Sequence, residues 1–251
     1  MSPIPSVSPL ALHGWTPVPV DPAAIFLNAP YINKPASLLV SQIPFPSDPL
    51  VARIQSYVKS KLPLQTYHHS MRVYYWATAI LFQQFPSCAS SLSLSTLALT
   101  CLLHDIGTTH ENLEATHLSF EYYGGYLALD LLQNSTETDA VATKPQAEAV
   151  AEAIIRHQDL GTVGRITFLG QLIQLATIYD NVGNFEEMIH VATRVDVNKA
   201  FPRGGWSKCF GETIREELRL KPWAHTTHLG EDKFREGVVG NALMKEYDDW
   251  E

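Results

Sequence analysis

The sequence predicts an all-α fold, in which a helical bundle follows an irregular, proline-rich N-terminal arm. From residue 49 onward, apolar residues recur at spacings of three and four, the period of an amphipathic helix. Convincing alternation of apolar and polar residues, which is typical of a half-buried strand, is absent apart from short ambiguous stretches. Eleven of the sixteen prolines precede residue 50. These observations divide the chain into an arm, residues 1–48, and a single helical domain, residues 49–251.

The arm is not expected to form a regular helix, because proline lacks a backbone N–H and clashes with the preceding helical turn. It nevertheless carries large apolar side chains, among them Trp15, Phe26, Tyr31 and Phe45. This apolar content is too high for a solvated linker, so we expect the arm to lie extended on the core. Such an arm also favours a homo-oligomer, in which it reaches a partner subunit.

The helical domain is predicted to contain eight helices, with proline at helix starts and glycine, asparagine or proline at helix ends. The segment with His110 and His117 is predicted to be a polar loop. The predicted helices span residues 49–61, 66–84, 92–104, 118–133, 145–158, 166–180, 206–220 and 231–246.

Composition excludes several classes of protein. The 251 residues are 45% hydrophobic, which is ample for a sizeable core. The net charge of −8 comes from dispersed acids, which argues against a nucleic-acid-binding surface and fits a small neutral or cationic substrate. No apolar run reaches membrane-spanning length, and no signal-peptide pattern follows Met1. Because the three cysteines lack C-x-x-C spacing, we expect no disulfide framework and a reducing compartment. Without a signal-peptide pattern or a membrane-spanning run, we expect a cytoplasmic protein.

His104 and Asp105 are the first candidate site residues, because they follow directly on the apolar run 97–103. An ionised carboxylate at the end of a buried helix is costly unless a partner offsets its charge. A divalent cation is the strongest such partner. A metal site would need further ligands on other buried helix faces.

Helical periodicity selects those further ligands. Counting from His69, apolar residues stand four, seven and eleven positions later, whereas His68 shares its face with Arg72 and Tyr75. His69 is therefore predicted to point into the core, and His68 is not. Asp180 likewise has apolar residues four, seven and eleven positions before it.

Together, the inward residues would supply two imidazole nitrogens and two carboxylates. Mixed nitrogen and oxygen ligation suits Zn²⁺, Fe²⁺ or Mn²⁺. His157 lies on the apolar face of a further helix. Each residue also has a simpler interpretation, because a buried histidine is commonly hydrogen-bonded in the core and an aspartate near a helix end can form a cap. The predicted ligands are His69, His104, Asp105 and Asp180.

The order of these residues resembles the HD-domain superfamily of metal-dependent hydrolases. His69 comes first, the His104–Gly107 motif follows, and His157 and Asp180 come after it. The resemblance covers roughly residues 49–185. It implies that the first histidine, the His-Asp doublet and the last aspartate hold a metal inside a helical bundle.

Four segments resemble, more narrowly, the fungal cyanamide hydratases within that superfamily. This resemblance implies a zinc-dependent hydro-lyase that hydrates cyanamide to urea. Dinuclear HD phosphodiesterases often carry a His-His pair where this sequence has His157-Gln158, so one Zn²⁺ per chain is expected, with Fe²⁺ as the alternative. The segments are Tyr67–Tyr75, His104–Thr109, Ser119–Gly125 and Ile155–Gln158.

One departure from the wider superfamily bears on the substrate. Many HD phosphohydrolases have a lysine shortly after the glycine of the doublet motif, where it meets phosphate, but Thr108 and Thr109 occupy that place. This weakens the hypothesis of an HD-type phosphohydrolase. Hydration of another small nitrile or an isonitrile is a close variant, and a module whose metal is purely structural is a third hypothesis.

Roles in catalysis can be assigned on this basis. Asp105 is predicted both to bind the metal and to accept a proton from water through its free oxygen. His157 is predicted to donate a proton or to orient the substrate, with a core histidine as the alternative. For Glu121, the alternative is a solvent-facing position or a pair with an arginine. The candidates for binding a small polar substrate follow the doublet: Thr108, Thr116, Ser119 and Glu121.

Overall fold

The computed structural model describes residues 8–134, 140–230 and 232–250. Within them, the all-α prediction is confirmed by fourteen α-helices and one pair of short strands. The helices are α1 (Pro9–Leu12), α2 (Pro22–Ile25), α3 (Pro49–Lys61), α4 (Leu64–Gln84), α5 (Pro86–Ala89), α6 (Leu94–Leu103), α7 (His110–Ala115), α8 (Phe120–Gln133), α9 (Lys144–Ile155), α10 (Phe168–Val182), α11 (Val191–Ala200), α12 (Trp206–Leu220), α13 (Lys233–Val239) and α14 (Lys245–Asp248). The strands are β1 (Pro17–Pro19) and β2 (Arg165–Thr167).

Seven of the eight predicted helices are present as α3, α4, α6, α8, α9, α10 and α12, with ends within three residues of the prediction. Polar side chains define several of their starts. Asp48, Ser93, Thr143 and Thr167 each accept the backbone N–H three residues later. These bonds satisfy donors that a helix N-terminus otherwise leaves free.

The prediction of one continuous helix over residues 231–246 is wrong. Helix α13 ends and α14 begins six residues later. Asn241 lies in the break, and its side chain donates to the carbonyl of Asp180 and accepts the N–H of Met244. Asparagine competes with helix hydrogen bonds in this way. Residue 231, where the predicted helix starts, lies outside the described residues, as does residue 251.

The short helices α5, α7 and α11 are absent from the prediction, and polar side chains define the starts of α7 and α11. Helix α7 occupies the segment predicted as a polar loop and begins after Thr109, whose hydroxyl accepts the N–H of Asn112. Helix α11 begins after His190, whose Nδ1 accepts the N–H of Ala192. Both helices are too short and too polar to produce a strong apolar period.

Helix α4 is central to the bundle and packs against α3, α6, α10, α11 and α12. Arg72 and Tyr75 are buried, and His68 is half-buried with its Nδ1 against the carbonyl of Pro202. The face that carries these three residues is therefore not a solvent face, because neighbouring elements surround α4. No helix in the described part of the chain is long and apolar enough to cross a membrane.

The arm is joined to the helical domain by backbone hydrogen bonds. Strand β1 pairs antiparallel with β2, which precedes α10. The N–H groups of Leu38 and Val40 donate to the side chains of Thr193 and Asp196 on α11. Phe26 is buried among the core residues of the helices. The division of the chain at residues 48 and 49 stays a prediction, and the first seven residues of the arm lie outside the described residues.

Helices α1 and α2 contradict the expectation that the arm forms no helix. Each is a single turn that starts with a proline, Pro9 in α1 and Pro22 in α2. Proline is tolerated at the first helical position, because the N–H that it lacks has no partner there.

Candidate metal centre

His69 lies near the start of α4, and its side chain is fully buried. Its Nδ1 is 2.7 Å from Oδ2 of Asp180. Because an ionised carboxylate only accepts hydrogen bonds, Nδ1 carries the ring proton and Nε2 presents a lone pair. Burial lowers the pKa of His69 to about 4, even though Asp180 raises it, so the imidazole is neutral near pH 7.

The His104–Asp105 doublet follows the last residue of α6. Nδ1 of His104 donates to the carbonyl of Cys101 at 2.8 Å, which leaves its Nε2 to face the centre. Oδ2 of Asp105 lies 3.2 Å from Nε2 of His104 and 3.6 Å from Nε2 of His69. Asp105 is buried, and neither of its oxygens has a hydrogen-bond partner.

These three side chains form a centre that fits a metal ion. The two Nε2 atoms face each other at 3.1 Å, and the Asp105 carboxylate lies beside them. Lone pairs converge at this distance without repulsion only if a cation or a proton lies between them. Two imidazoles and a carboxylate are ligands that Zn²⁺ and Fe²⁺ accept. Among the described residues, this is the one group of three or more His, Cys, Asp or Glu side chains whose ligand atoms all lie within 4.8 Å.

Asp180 lies in the last turn of α10, and five donors surround its carboxylate. Arg72 donates through Nε and Nη2 at 3.0 and 2.9 Å, and Trp76 donates through Nε1 at 3.0 Å. Nη1 of Arg203 lies at 3.2 Å, and the fifth donor is Nδ1 of His69. Burial raises the pKa of Asp180, but the guanidinium groups of Arg72 and Arg203 outweigh it and hold the pKa well below its ordinary value.

In this arrangement Asp180 orients His69, as carboxylates commonly do for metal-binding histidines. It is not one of the three groups whose ligand atoms converge. Its role as a fourth direct ligand stays a prediction.

His157 follows the C-terminal end of α9 and is 4% exposed. Its Nδ1 donates to the carbonyl of Ile154 at 2.7 Å, so Nε2 is the nitrogen left for other contacts. The ring packs edge-on against His104, with 5.4 Å between ring centroids. Burial lowers the pKa of His157, and His104 lowers it further. A neutral imidazole therefore lies next to the three converging side chains.

Comparison with known proteins places this arrangement in a family. The HD-domain profile matches residues 66–182, which include His69, the doublet, His157 and Asp180. Two Saccharomyces cerevisiae proteins, cyanamide hydratase DDI2 and cyanamide hydratase DDI3, are each 40% identical to the chain over 236 residues, which is 93% of this chain and 99% of each relative. The chain belongs to the HD-domain family.

In this HD-domain protein, the first turn of α8 packs on the doublet. The contact is made at Gly107, where an added Cβ would overlap the carbonyl oxygen of Phe120. A residue without a side chain is therefore required for the close approach of the two backbones. The packing places the backbone of Phe120, between Ser119 and Glu121, directly against the turn that follows Asp105.

Two of the predicted substrate-binding residues use their hydroxyls locally. Oγ1 of Thr108 donates to the carbonyl of Asp105 at 2.7 Å. Oγ1 of Thr116 accepts the N–H of Leu118 at 3.1 Å. The contacts of Thr108 stabilise the turn after the doublet, and those of Thr116 shape the connection from α7 to α8. Their roles toward a substrate stay predictions.

The other two candidates are buried. Oγ of Ser119 accepts the N–H of His225 at 2.9 Å. Glu121 is 0% exposed, and neither of its oxygens has a hydrogen-bond partner. The solvent-facing alternative for Glu121 therefore does not hold. A buried carboxylate with free lone pairs is unusual and is typical of a binding or catalytic site.

Residues beyond the HD-domain match complete this acidic region. Glu217 on α12 accepts the N–H of Phe120 at 2.8 Å and the hydroxyl of Thr226 at 2.9 Å. Burial, and then the proximity of Glu121, raise the pKa of Glu217 to about 7. Lys221, one turn later, is buried and donates to the carbonyl of Leu118 at 2.7 Å.

A cavity of about 10 Å³ lies on the His157 side of the centre. Three larger hollows, of about 280, 290 and 500 Å³, lie elsewhere and contain none of the converging side chains, although Thr108 lines the first of them. The cavity mixes polar and apolar walls, which suits a very small polar ligand. Its lining includes His157, Gln158, Thr177, Asn181, Leu229 and Phe234.

Glu217 and His225 are not among the predicted site residues, for different reasons. Trp206, Phe210 and Ile214 form the buried stripe of α12, and Glu217 continues it. The rule that selected Asp180, an acid on an apolar stripe, would therefore have selected Glu217 as well. His225 lies in a short 3-10 turn, which is too short to show a stripe of apolar residues.

Proposed function

We propose that this chain hydrates the nitrile group of cyanamide to give urea, as a zinc-dependent hydro-lyase. Two relatives that the chain matches over 99% of their length are named cyanamide hydratases. The observation that carries the proposal is the pairing of two buried, unpartnered carboxylates, Asp105 at the metal centre and Glu121 in the adjoining helix. The first can take a proton from water, and the second can bind an amino group.

His69, His104 and Asp105 would hold the metal, with Asp180 as the predicted fourth ligand. We propose one Zn²⁺ per chain, with Fe²⁺ as the alternative that the same ligands accept. When bound, the ion would polarise the nitrile or lower the pKa of a water molecule to about 7.

Asp105 would move the proton that the reaction requires. Addition of water forms a carbon–oxygen bond at the nitrile carbon, while the nitrile nitrogen gains a proton. The resulting isourea tautomerises to urea, and the overall reaction neither releases nor consumes a proton. Asp105 can accept the proton of the attacking water through an oxygen that has no other partner and return it to the nitrogen.

His157 and Glu121 would bind the substrate. Because the pKa of His157 is lowered, its Nε2 acts as an acceptor. This favours the orienting role over the proton-donating role. Glu121 would accept N–H groups of the cyanamide amine, which an aliphatic nitrile lacks.

The phosphohydrolase alternative is less well supported. Glu121 and Glu217 would repel a phosphate near the centre, and Thr108 stands near the place where many HD phosphohydrolases have a lysine. Hydration of another small nitrile or an isonitrile remains the close variant. A homo-oligomer stays a prediction from the apolar arm.

Urea production from cyanamide by the purified protein tests the proposal. Activity should disappear on chelation and return on addition of Zn²⁺ or Fe²⁺, and elemental analysis identifies the metal. His104→Ala should abolish urea formation, which distinguishes a catalytic metal from a structural one. Absence of urea from metal-loaded protein, together with phosphate release from a panel of nucleotides, would refute the proposal.

A further inference from the structure

Glu121 is the least explained charged group near the centre. It is fully buried without a hydrogen-bond partner, although burial of an isolated carboxylate is costly. The neighbouring cation Lys221 donates to a backbone carbonyl, and Glu217 is itself an acid. Something else in the structure must offset the charge of Glu121 while leaving its oxygens free.

His225 meets that requirement. Its Nδ1 lies 3.4 Å from Oε1 of Glu121, and its Nε2 lies 3.4 Å from Oδ1 of Asp159. The ring also contacts Tyr122 edge-on and stacks with His228, at centroid distances of 5.6 and 4.2 Å. An imidazole between two carboxylates is most stable as the imidazolium, which can present an N–H to each.

The contact between His225 and Glu121 is electrostatic rather than an aligned hydrogen bond. Nδ1 of His225 and both oxygens of Glu121 have no hydrogen-bond partner. The imidazolium can therefore stabilise the charge of Glu121 without using the lone pairs that a substrate amine needs. The side chain of His225 is 24% exposed, so it can exchange its proton with solvent.

We propose that His225, as an imidazolium, is a positioning residue that holds the Glu121 carboxylate in place to bind the amino group of the substrate. The inference rests on the proposed function for the identity of the substrate. It adds a residue that lies outside the HD-domain match and that touches neither the metal ligands nor the reacting nitrile.

The proposal makes substrate binding depend on pH. Contact with Glu121 first, and then with Asp159 and Glu217, raises the pKa of His225 despite its partial burial. The His225 imidazolium keeps its proton at low pH and loses it as the pH rises above its raised pKa. Because the neutral ring no longer positions Glu121, KM should increase at alkaline pH. The charged or titratable groups that face His225 are Glu121 and Tyr122 on α8, Asp159 with its partner Arg156 after α9, Glu217 and Lys221 on α12, and His228 in its own turn.

The experiment measures kcat and KM for urea formation between pH 6 and 9 in the wild type and three variants. His225→Gln should raise KM roughly tenfold, equivalent to about 1.4 kcal/mol, with little change in kcat or metal content. His225→Lys, which retains a positive charge, should restore a low KM and remove its pH dependence. His228→Gln is the matched control, because it removes the stacked neighbour but not the contact with Glu121.

A fourth variant tests the proposal while leaving the His225 side chain in place. Asp159→Asn removes one of the two carboxylates, so the alkaline rise of KM should move to lower pH. The proposal is overturned if His225→Gln leaves KM unchanged, if it lowers kcat and metal content as well as raising KM, or if His228→Gln raises KM to the same extent.

Failure of the proposed function can be distinguished from failure of this inference. Binding of urea, measured by calorimetry, requires no turnover and still probes an amino group against Glu121. If the wild type makes no urea but binds it in a manner that depends on His225, the proposed reaction fails and the positioning role holds. If the wild type hydrates cyanamide and His225→Gln binds urea normally, only the positioning role fails.

Discussion

Replacement of Gly107 by alanine should damage both the fold and the site, because no space exists for the added methyl group. The Cβ would overlap the carbonyl oxygen of Phe120 and would lie 3.0 Å from its carbonyl carbon and 3.2 Å from the backbone nitrogen of Gly124. All three atoms belong to the backbone of α8, so relief requires the helix itself to move. Gly107 is not among the described glycines with positive φ, and the penalty is therefore steric.

Overpacking of this kind costs about 1–3 kcal/mol, and we expect the upper end because a helix must shift. At roughly 2–4 °C per kcal/mol for a chain of this size, Tm should fall by about 6–12 °C. Urea formation should fall by more than the loss of folded protein explains, because the same shift moves Glu121 away from Asp105. Gly161→Ala is the matched control, since its Cβ would meet nothing within 4 Å.

The two variants can be compared by thermal unfolding and by kcat/KM at a temperature where both are folded. Gly161→Ala should leave Tm unchanged or slightly raised, because alanine restricts the unfolded chain. Equal Tm values and equal activities for the two variants would refute the packing argument.

Three further outcomes are expected. Asp105→Asn should lose bound metal in elemental analysis while the helical circular-dichroism signal persists; retention of stoichiometric metal would contradict the assignment of Asp105 as a ligand. Arg72→Leu leaves the buried carboxylate of Asp180 undercompensated, which costs about 3–5 kcal/mol and should lower Tm strongly, whereas the exposed Arg219→Leu should leave Tm unchanged. Glu217 holds its proton more tightly in the folded state, so its contribution to stability falls as the pH rises from its ordinary pKa to about 7. Glu217→Gln should flatten the dependence of the free energy of unfolding on pH in that window, measured by denaturation in guanidinium chloride; an unchanged slope would exclude Glu217 as its source.

The helices and the inward positions of His69 and Asp180 could be predicted because they depend on a regular period, whereas the His104–Asp105 doublet is predicted from its place after an apolar run. A helix turns by a fixed angle per residue, so an apolar stripe fixes which of its polar residues face the core. His69 and Asp180 emerge from this rule, and the structure places Nδ1 of His69 2.7 Å from Oδ2 of Asp180. The same rule wrongly predicts a solvent face on α4, where sixteen of the 21 residues are buried and the faces of the helix do not differ in burial.

The remainder of the site depends on contacts that no local pattern encodes. Arg203 lies in a loop and reaches Asp180, and His225 lies in a short turn 104 positions after Glu121. Loops have no period, and their side chains are positioned by the elements on which they pack. Only the folded arrangement reveals that two buried acids and a histidine share one region.

The stack between His69 and Trp206 gives the protein an internal optical reporter. The indole is 1% exposed and lies parallel to the imidazole at 4.2 Å, so it is shielded from solvent and responds to what happens on that ring. Any change in the charge or electron density of His69 should alter the emission of Trp206. Of the five tryptophans, Trp76 also reaches the centre, through Asp180, so a Trp76→Phe background would isolate the signal. Loading of the centre could then be followed in real time by fluorescence, without a dye and without turnover.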